Sequence, residues 1–404
     1  MNKWRQTTLG EIVAAGGGKV QTGPFGSQLH ASDYVQAGIP CIMPANMKNN
    51  RVDLSSIAHI SDQDAGRLSQ HLVQEGDIIY SRRGDVTQKA LIRKHEVGYF
   101  CGTGCLLVRP GEKIDSVFLT YHLSTPSNQD WIVKQAVGAT MPNLNTTILS
   151  EVPLRVPDKA TQQKIAAVLS ALDAKIDCNN RINAELEAMA KNLYDYWFVQ
   201  FDFPDANGKP YKSSGGKMVY NSTLKREIPV GWECKKMGEY AEVLKGDLIT
   251  EKDAKGGNIK VIAAGVSFSY MHSEFNRARN TITISGSGAN AGFINFWREP
   301  IFASDCITIR GATDTKTLLL LQHLKFIQNH ILSQATGSAQ PHVYPSDIKV
   351  LDYVIPSVES IDEFEKLAIP INDQISKNLT ENQHLTQLRD WLLPMLMNGQ
   401  VTMK

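Results

Sequence analysis

Short β-rich runs, alternating with Gly, Pro and Asn turns, fill two stretches of the chain, and each gives way to a long segment with helical spacing. Residues 77–81 and 281–285 read as strands, as do 105–109 and 306–310, while 117–123 and 318–331 read as helices. Beyond Pro157 the period changes. Ile165, Leu169, Leu172, Ile176, Leu186, Leu193 and Trp197 fall on one stripe of a helix. Beyond Pro356, Phe364, Ile371, Ile375, Leu385, Leu392 and Leu396 repeat that register. Both stripes are interrupted at matching central positions by asparagines, Asn179 and Asn183 in the first and Asn378 and Asn382 in the second. A buried asparagine on such a seam costs stability but fixes register, because one alignment lets the amides bond each other. Two ordinary surface helices with polar middles would also carry the pattern; its recurrence favours helices paired with each other. Pro370 predicts a kink or break near Ala368.

The chain is one unit written twice. Trp4-x4-Leu9-Gly10-Glu11 returns as Trp232-x4-Met237-Gly238-Glu239, and Ile78-Ile79-Tyr80-Ser81-x2-Gly84 as Ile282-Thr283-Ile284-Ser285-x2-Gly288. Ala136-Val137-Gly138-x3-Pro142 returns as Ala335-Thr336-Gly337-x3-Pro341, and Val156-Pro157 as Ile355-Pro356. Several short matches in a conserved order mark a duplication. The predicted layout is a module over 1–157, a long helix over 158–200, a polar linker and second module over 201–356, and a second long helix over 357–404. The linker is drawn from the turn-rich residues 205–216. The expected class is α+β: two globular modules related by a pseudo-twofold axis and joined by two long antiparallel helices in a coiled coil.

Composition narrows the picture. The 404 residues are 42% hydrophobic and 21% charged, with a net charge of +1, as in soluble globular proteins. That length exceeds one ordinary core, and no apolar run approaches the roughly 18 residues of a membrane span. The first residues lack the apolar stretch of a signal peptide, and the six cysteines lack a disulfide spacing, so a cytoplasmic location is expected. Near-zero charge excludes a heavily basic nucleic-acid coat but not DNA binding through local patches.

Several loops carry side chains suited to reading DNA. Ser81 to Lys89 places Arg82, Arg83, Thr87, Gln88 and Lys89 at a strand exit; Arg pairs bidentately with guanine, Gln with adenine, and Lys with phosphate. The second copy has Ser287 and Asn290 there and no arginine. A framework kept while its loop chemistry changes suits two readers of different sequences, although a solvated basic turn would look the same. Phe25, Ser27 and Gln28 form a second candidate loop, with a structural turn that buries Phe25 as the alternative. Asn143 and Asn145, and Gln340, His342 and Tyr344, lie on matching loops, and Arg277 and Arg279 are candidate phosphate contacts.

No catalytic constellation stands out. Gly18-Lys19, Gly208-Lys209 and Gly216-Lys217 are not followed by the Ser or Thr of a phosphate-binding loop. Gly286-x-Gly288-x-x-Ala291 lacks a following helix pattern, and Cys101-x3-Cys105 lacks a second zinc-binding pair. Asp205 with Glu233-x-Lys235 matches a metal-dependent nuclease only loosely.

Taken in order, Gly23-Pro24-Phe25-Gly26-Ser27, Gly138 to Asn145, Pro157 to Ala166 with its Gln162-Gln163-Lys164-Ile165, and Leu172-Asp173-x2-Ile176 resemble the specificity subunit of type I restriction–modification systems over essentially the whole chain. The second copy departs from the pattern: 361–366 lacks the paired glutamines. The resemblance implies a non-catalytic subunit whose two target-recognition domains each read one half of a bipartite, asymmetric site in double-stranded DNA. It implies helices that set the gap and dock two modification subunits, and restriction subunits joining the larger complex. S-adenosylmethionine, ATP and Mg2+ would belong to those partners, with no cofactor, metal or membrane contact on this chain.

Overall fold

The protein is described by a computed structural model over residues 4–138, 142–335 and 341–401. Two long helices dominate it. Lys159–Tyr194 starts where the Asp158 carboxylate accepts the Thr161 amide and hydroxyl hydrogens, and it runs on into a wider π-helical turn, Asp195–Val199. Val358–Met397 starts at Ser357, whose Oγ accepts the Ser360 amide hydrogen. This helix is unbroken through Pro370, contrary to the predicted kink. Pro370 and Lys366, whose carbonyl loses its donor, are both exposed, so water can satisfy the freed oxygen.

The chain divides into two compact units, residues 1–177 with 381–404 and residues 178–380. The predicted spacer segments 158–200 and 357–404 are therefore not separate bodies, since each divides between the units. In unit 1, strand Arg5–Thr8 pairs antiparallel with Pro153–Val156. An antiparallel sheet follows in the order Lys19–Thr22, Cys105–Arg109, Ile78–Ser81, Lys89–Leu91, beside a smaller sheet in which Ile39–Ile42 pairs parallel with Phe100–Cys101. Unit 2 repeats this plan. Glu233–Lys236 pairs with Asp352–Ile355, the larger sheet runs Glu242–Lys245, Cys306–Arg310, Thr281–Ser285, Ile294–Trp297, and Ile259–Ile262 pairs parallel with Ile301–Ala303. The α+β class holds, and the duplication holds for the terminal strand pair, the larger sheet and the parallel pair of the smaller sheet.

Each unit folds its share of the helices into its core. In unit 1, Leu9, Ile78, Leu106, Phe118 and Leu149 pack with Ile165 and Leu169 of the first helix and Leu393, Leu396 and Met397 of the second. Gly399, at φ 71°, lies so close to the Trp4 indole that a Cβ would stand 2.7 Å from its nitrogen. In unit 2, Trp197, Phe198, Phe201, Phe203 and Trp232 pack with Ile361 and Phe364. The residues expected to be a linker belong to this cluster's surroundings: Tyr211 stacks on Phe203 at 4.6 Å, and Asp202 accepts hydrogen bonds from the Ser213 amide and hydroxyl. They form a folded turn on unit 2 and not a tether.

The helices run antiparallel within each unit. In unit 1, Asp173 meets Arg389 and Lys175 meets Glu381; in unit 2, Asn183 meets Asn378 and Trp197 meets Phe364. Of the predicted seam, Ile165, Leu169, Ile375, Asn179, Asn183, Asn378 and Asn382 are buried, while Leu172, Ile176 and Ile371 are half-buried. The Asn378 side-chain amide donates to Asn183 Oδ1 at 2.8 Å, the amide-to-amide bond the pattern predicted.

Candidate nucleic-acid interface

In unit 1 the strand-exit loop is built around Gly84, whose φ of 75° an L side chain rarely adopts. Unit 2 keeps that feature at Gly288, φ 74°. The loop backbone is pinned on both sides. The Arg82 amide donates to the Gly104 carbonyl, the Leu144 amide donates to the Arg82 carbonyl, and Arg83 bridges Asn143. The Arg82 guanidinium stands 5.4 Å from the centre of the half-exposed Phe25 ring, so the two candidate loops meet. Phe25 is thus at the surface and not in the core. Its turn is closed by Gln28, whose Oε1 accepts the Phe25 amide hydrogen, which occupies one end of that side chain; Ser27 is exposed. Arg82 Nε and Asn143 Oδ1 are buried polar atoms with no hydrogen-bond partner among the described residues.

Four unit 1 candidates serve the fold. Thr87 and Gln88 donate their side-chain hydrogens to Asp85 and close the turn. Asn145 Oδ1 caps the helix Thr146–Ser150 by accepting the Ile148 amide hydrogen, which gives that oxygen a structural role. Lys89 is not an exposed phosphate contact either. It is 2% exposed, pairs across the sheet with Tyr80, and holds its ammonium 5.7 Å from that ring's centre. Burial pulls its pKa down to about 7. The matching pair in unit 2 is Ile284 and Ile294, so the sheet itself needs no amine there.

In unit 2 the equivalent bridge joins Ser287 to His342, and the Gly288 amide donates to the Pro341 carbonyl. His342 stacks on the exposed Tyr344 with centroids 5.9 Å apart, and Asn290 is exposed on the same loop as Ser287. Ser287 is held by Asp305 at 2.8 Å. Gln340 lies outside the described residues, as do Thr140 and Met141. Arg277 is not a phosphate contact: its guanidinium donates to Thr308 Oγ1 and to the Asn276 and Lys245 carbonyls, bracing the sheet edge. Arg279 keeps an exposed guanidinium, 3.9 Å from Asp314.

Sequence reasoning passed over a polar joint in each unit. In unit 1, Arg51 pairs with Asp177, Tyr121 donates to Asp173 at 2.5 Å, and Arg389 pairs with Asp173 at 2.8 Å. In unit 2, Arg298 donates to Asn372 at 2.9 Å, lies 3.5 Å from Glu187 and stands over the Phe296 ring. The signal available was Asp173 and Asp177 one helical turn apart, a repulsive pair that needs cations from elsewhere.

The candidate nuclease and metal patterns find no support in these positions. Asp205 Oδ1 accepts the Asn207 and Lys209 amide hydrogens in a turn, and Glu233 pairs with Lys235 at 2.8 Å. Among the described residues no cluster of His, Cys, Asp or Glu is arranged to hold a metal, and no helix is long and apolar enough to cross a membrane.

Residues 1–188 and 229–385 match the family described as the type I restriction modification DNA specificity domain. The chain is 24% identical to the type I restriction enzyme MjaIX specificity subunit of Methanocaldococcus jannaschii, across 91% of this chain and 88% of that protein. It is 21% identical to the HindI specificity subunit of Haemophilus influenzae, across 99% and 100%. The crystal structure of a type I restriction–modification S subunit from M. genitalium shares the fold, with a TM-score of 0.59 at 16% identity and coverage of 100% and 97%. The two heads with matched frames and different loops, on helices that pair through asparagines, are those of a chain that belongs to the type I restriction–modification DNA specificity family, and it is a non-catalytic sequence-specificity subunit.

Proposed function

We propose that the two units read the two halves of a bipartite, asymmetric site in double-stranded DNA, in a cytoplasmic complex whose chemistry belongs to other chains. The observation that carries this reading is the matched bridge: Arg83–Asn143 in unit 1 and Ser287–His342 in unit 2, one frame with different side chains. Arg82 and Arg83 favour guanine in the first half, while Asn290, His342 and Tyr344 offer amide, imidazole and phenol groups to the second. The long helices would set the gap between the halves and dock two modification subunits carrying S-adenosylmethionine. Restriction subunits using ATP and Mg2+ would complete the assembly. The test is methylation-site mapping in a strain expressing the whole system with Arg82→Ala or Arg83→Ala. The expected result is relaxed choice in one half-site only, about 1–3 kcal/mol for a lost bidentate contact. Equal changes in both halves would refute the assignment of one half to each unit.

A further inference from the structure

We infer that Arg51 is a positioning residue: with Asp177 it latches the first reading head to its helical segment and so sets the head's tilt. The inference rests on the DNA-reading function proposed above. Unit 1 is fastened to its helices at two places. The first is apolar, with Ile165 and Leu169 of the first helix and Leu393, Leu396 and Met397 of the second sunk in the head's core. The second is polar, at Asp173 and Asp177. Twelve residues from Ile165 to Asp177 span about 18 Å of helix axis. Apolar packing is non-directional; a directional contact about three turns further along the first helix adds a fixed orientation to it.

Three features mark the second contact as more than incidental surface pairing. Asp173 and Asp177 sit one turn apart and repel, so neither favours the helix by itself. They are neutralised from separate elements. Asp173 takes the buried Tyr121 hydroxyl and the Arg389 guanidinium, and Asp177 takes Arg51. Arg51 lies on a two-stranded hairpin, Met47–Lys48 with Arg51–Val52, whose tip residues Asn49 and Asn50 both have left-handed φ, 52° and 59°. That tip is tied to the reading sheet, because the Leu91 amide donates to the Asn50 carbonyl, and to the end of the helix Ser116–His122, because Ser124 Oγ donates to Asn50 Oδ1. The latch therefore connects the helix to the sheet that ends in the reading loop. Two cavities of about 240 and 250 Å³ flank it, sharing Asn49, Asn50 and Tyr121 as walls. Unit 2 has the same arrangement from a different strand: Phe364 and Trp197 make the apolar contact, and Arg298 reaches Asn372 and Glu187 further along.

The experiment uses the complete methyltransferase assembled with this chain. Binding is measured on duplexes holding the mapped half-sites at the native gap and at gaps one base pair shorter and longer. Arg51→Ala and the shape-preserving Asp177→Asn are expected to lose the wild-type preference for the native gap while keeping half-site choice. The reversed pair Arg51→Asp with Asp177→Arg is expected to restore it. The inference is overturned if the single variants keep the gap preference, if they weaken all three duplexes by one common factor, or if the reversed pair folds without restoring it. Absence of any half-site or gap preference in the wild-type assembly would instead refute the proposed function.

Discussion

Replacing Lys89 with isoleucine should stabilise unit 1, and by an amount that depends on pH. Lys89 is fully buried with an aromatic face as its neighbour, and burial lowers its pKa from 10.5 to about 7. The unfolded chain therefore binds more protons than the folded one between those values, so stability rises with pH across that window and the penalty is complete below pH 7. Holding the amine in the folded state costs about 4 kcal/mol at pH 7, half-protonated there, and about 2 kcal/mol at pH 9. Isoleucine fits the position, because Ile294 pairs with Ile284 where Lys89 pairs with Tyr80. The Tyr80 hydroxyl has no hydrogen-bond partner among the described residues, so nothing polar in that pair depends on the amine. Urea unfolding at both pH values, read by amide exchange on Ile78–Ser81, reports opening of this sheet. The expected gain from Lys89→Ile is about 2 kcal/mol larger at pH 7 than at pH 9. A variant less stable than wild type, or a gain equal at both pH values, would refute the reasoning.

The asparagine seam gives a second test. Asn183→Leu leaves the buried Asn378 amide without its acceptor and should cost about 1–3 kcal/mol. Adding Asn378→Leu should recover most of that loss, since Gln374, its other partner, is exposed and can turn to water; additive losses in the double-mutant cycle would mean the two amides are uncoupled. Asn145→Ala should cost about 1 kcal/mol of stability through the lost helix cap and leave the methylated sequence unchanged, with thermal unfolding and site mapping as the two measurements.

Much of the frame was legible because it rests on local pattern. Ile78 to Ser81 and Thr281 to Ser285 are strand-forming runs bounded by turn residues, and the repeat fixed their equivalence. The seam asparagines could be read because their spacing recurs and because the amide bond they form follows from helix geometry. What escaped depends on direction and distance. Lys89 follows a basic loop in sequence, but it lies on a strand and faces inward against Tyr80. Arg277 is occupied by Thr308 and the Lys245 carbonyl, both about thirty residues away, which spacing cannot reveal. Asn145, three residues before Ile148 at the head of a short helix, carries a capping signal that is visible in the sequence. Pro370 breaks nothing because its cost depends on which side of the helix meets water, which residue spacing does not give.

The division of the chain has a consequence for how the protein is made. Unit 1 takes Leu393, Leu396 and Met397 into its core, yet residues 178–380 come between these and the rest of that unit. A ribosome must therefore finish all of unit 2 before the first head can close, and until then the head's apolar surface waits unfilled. The same interruption makes 178–380 a contiguous cassette, so genetic exchange within one uninterrupted block could replace an entire reader and leave the other's core residues untouched.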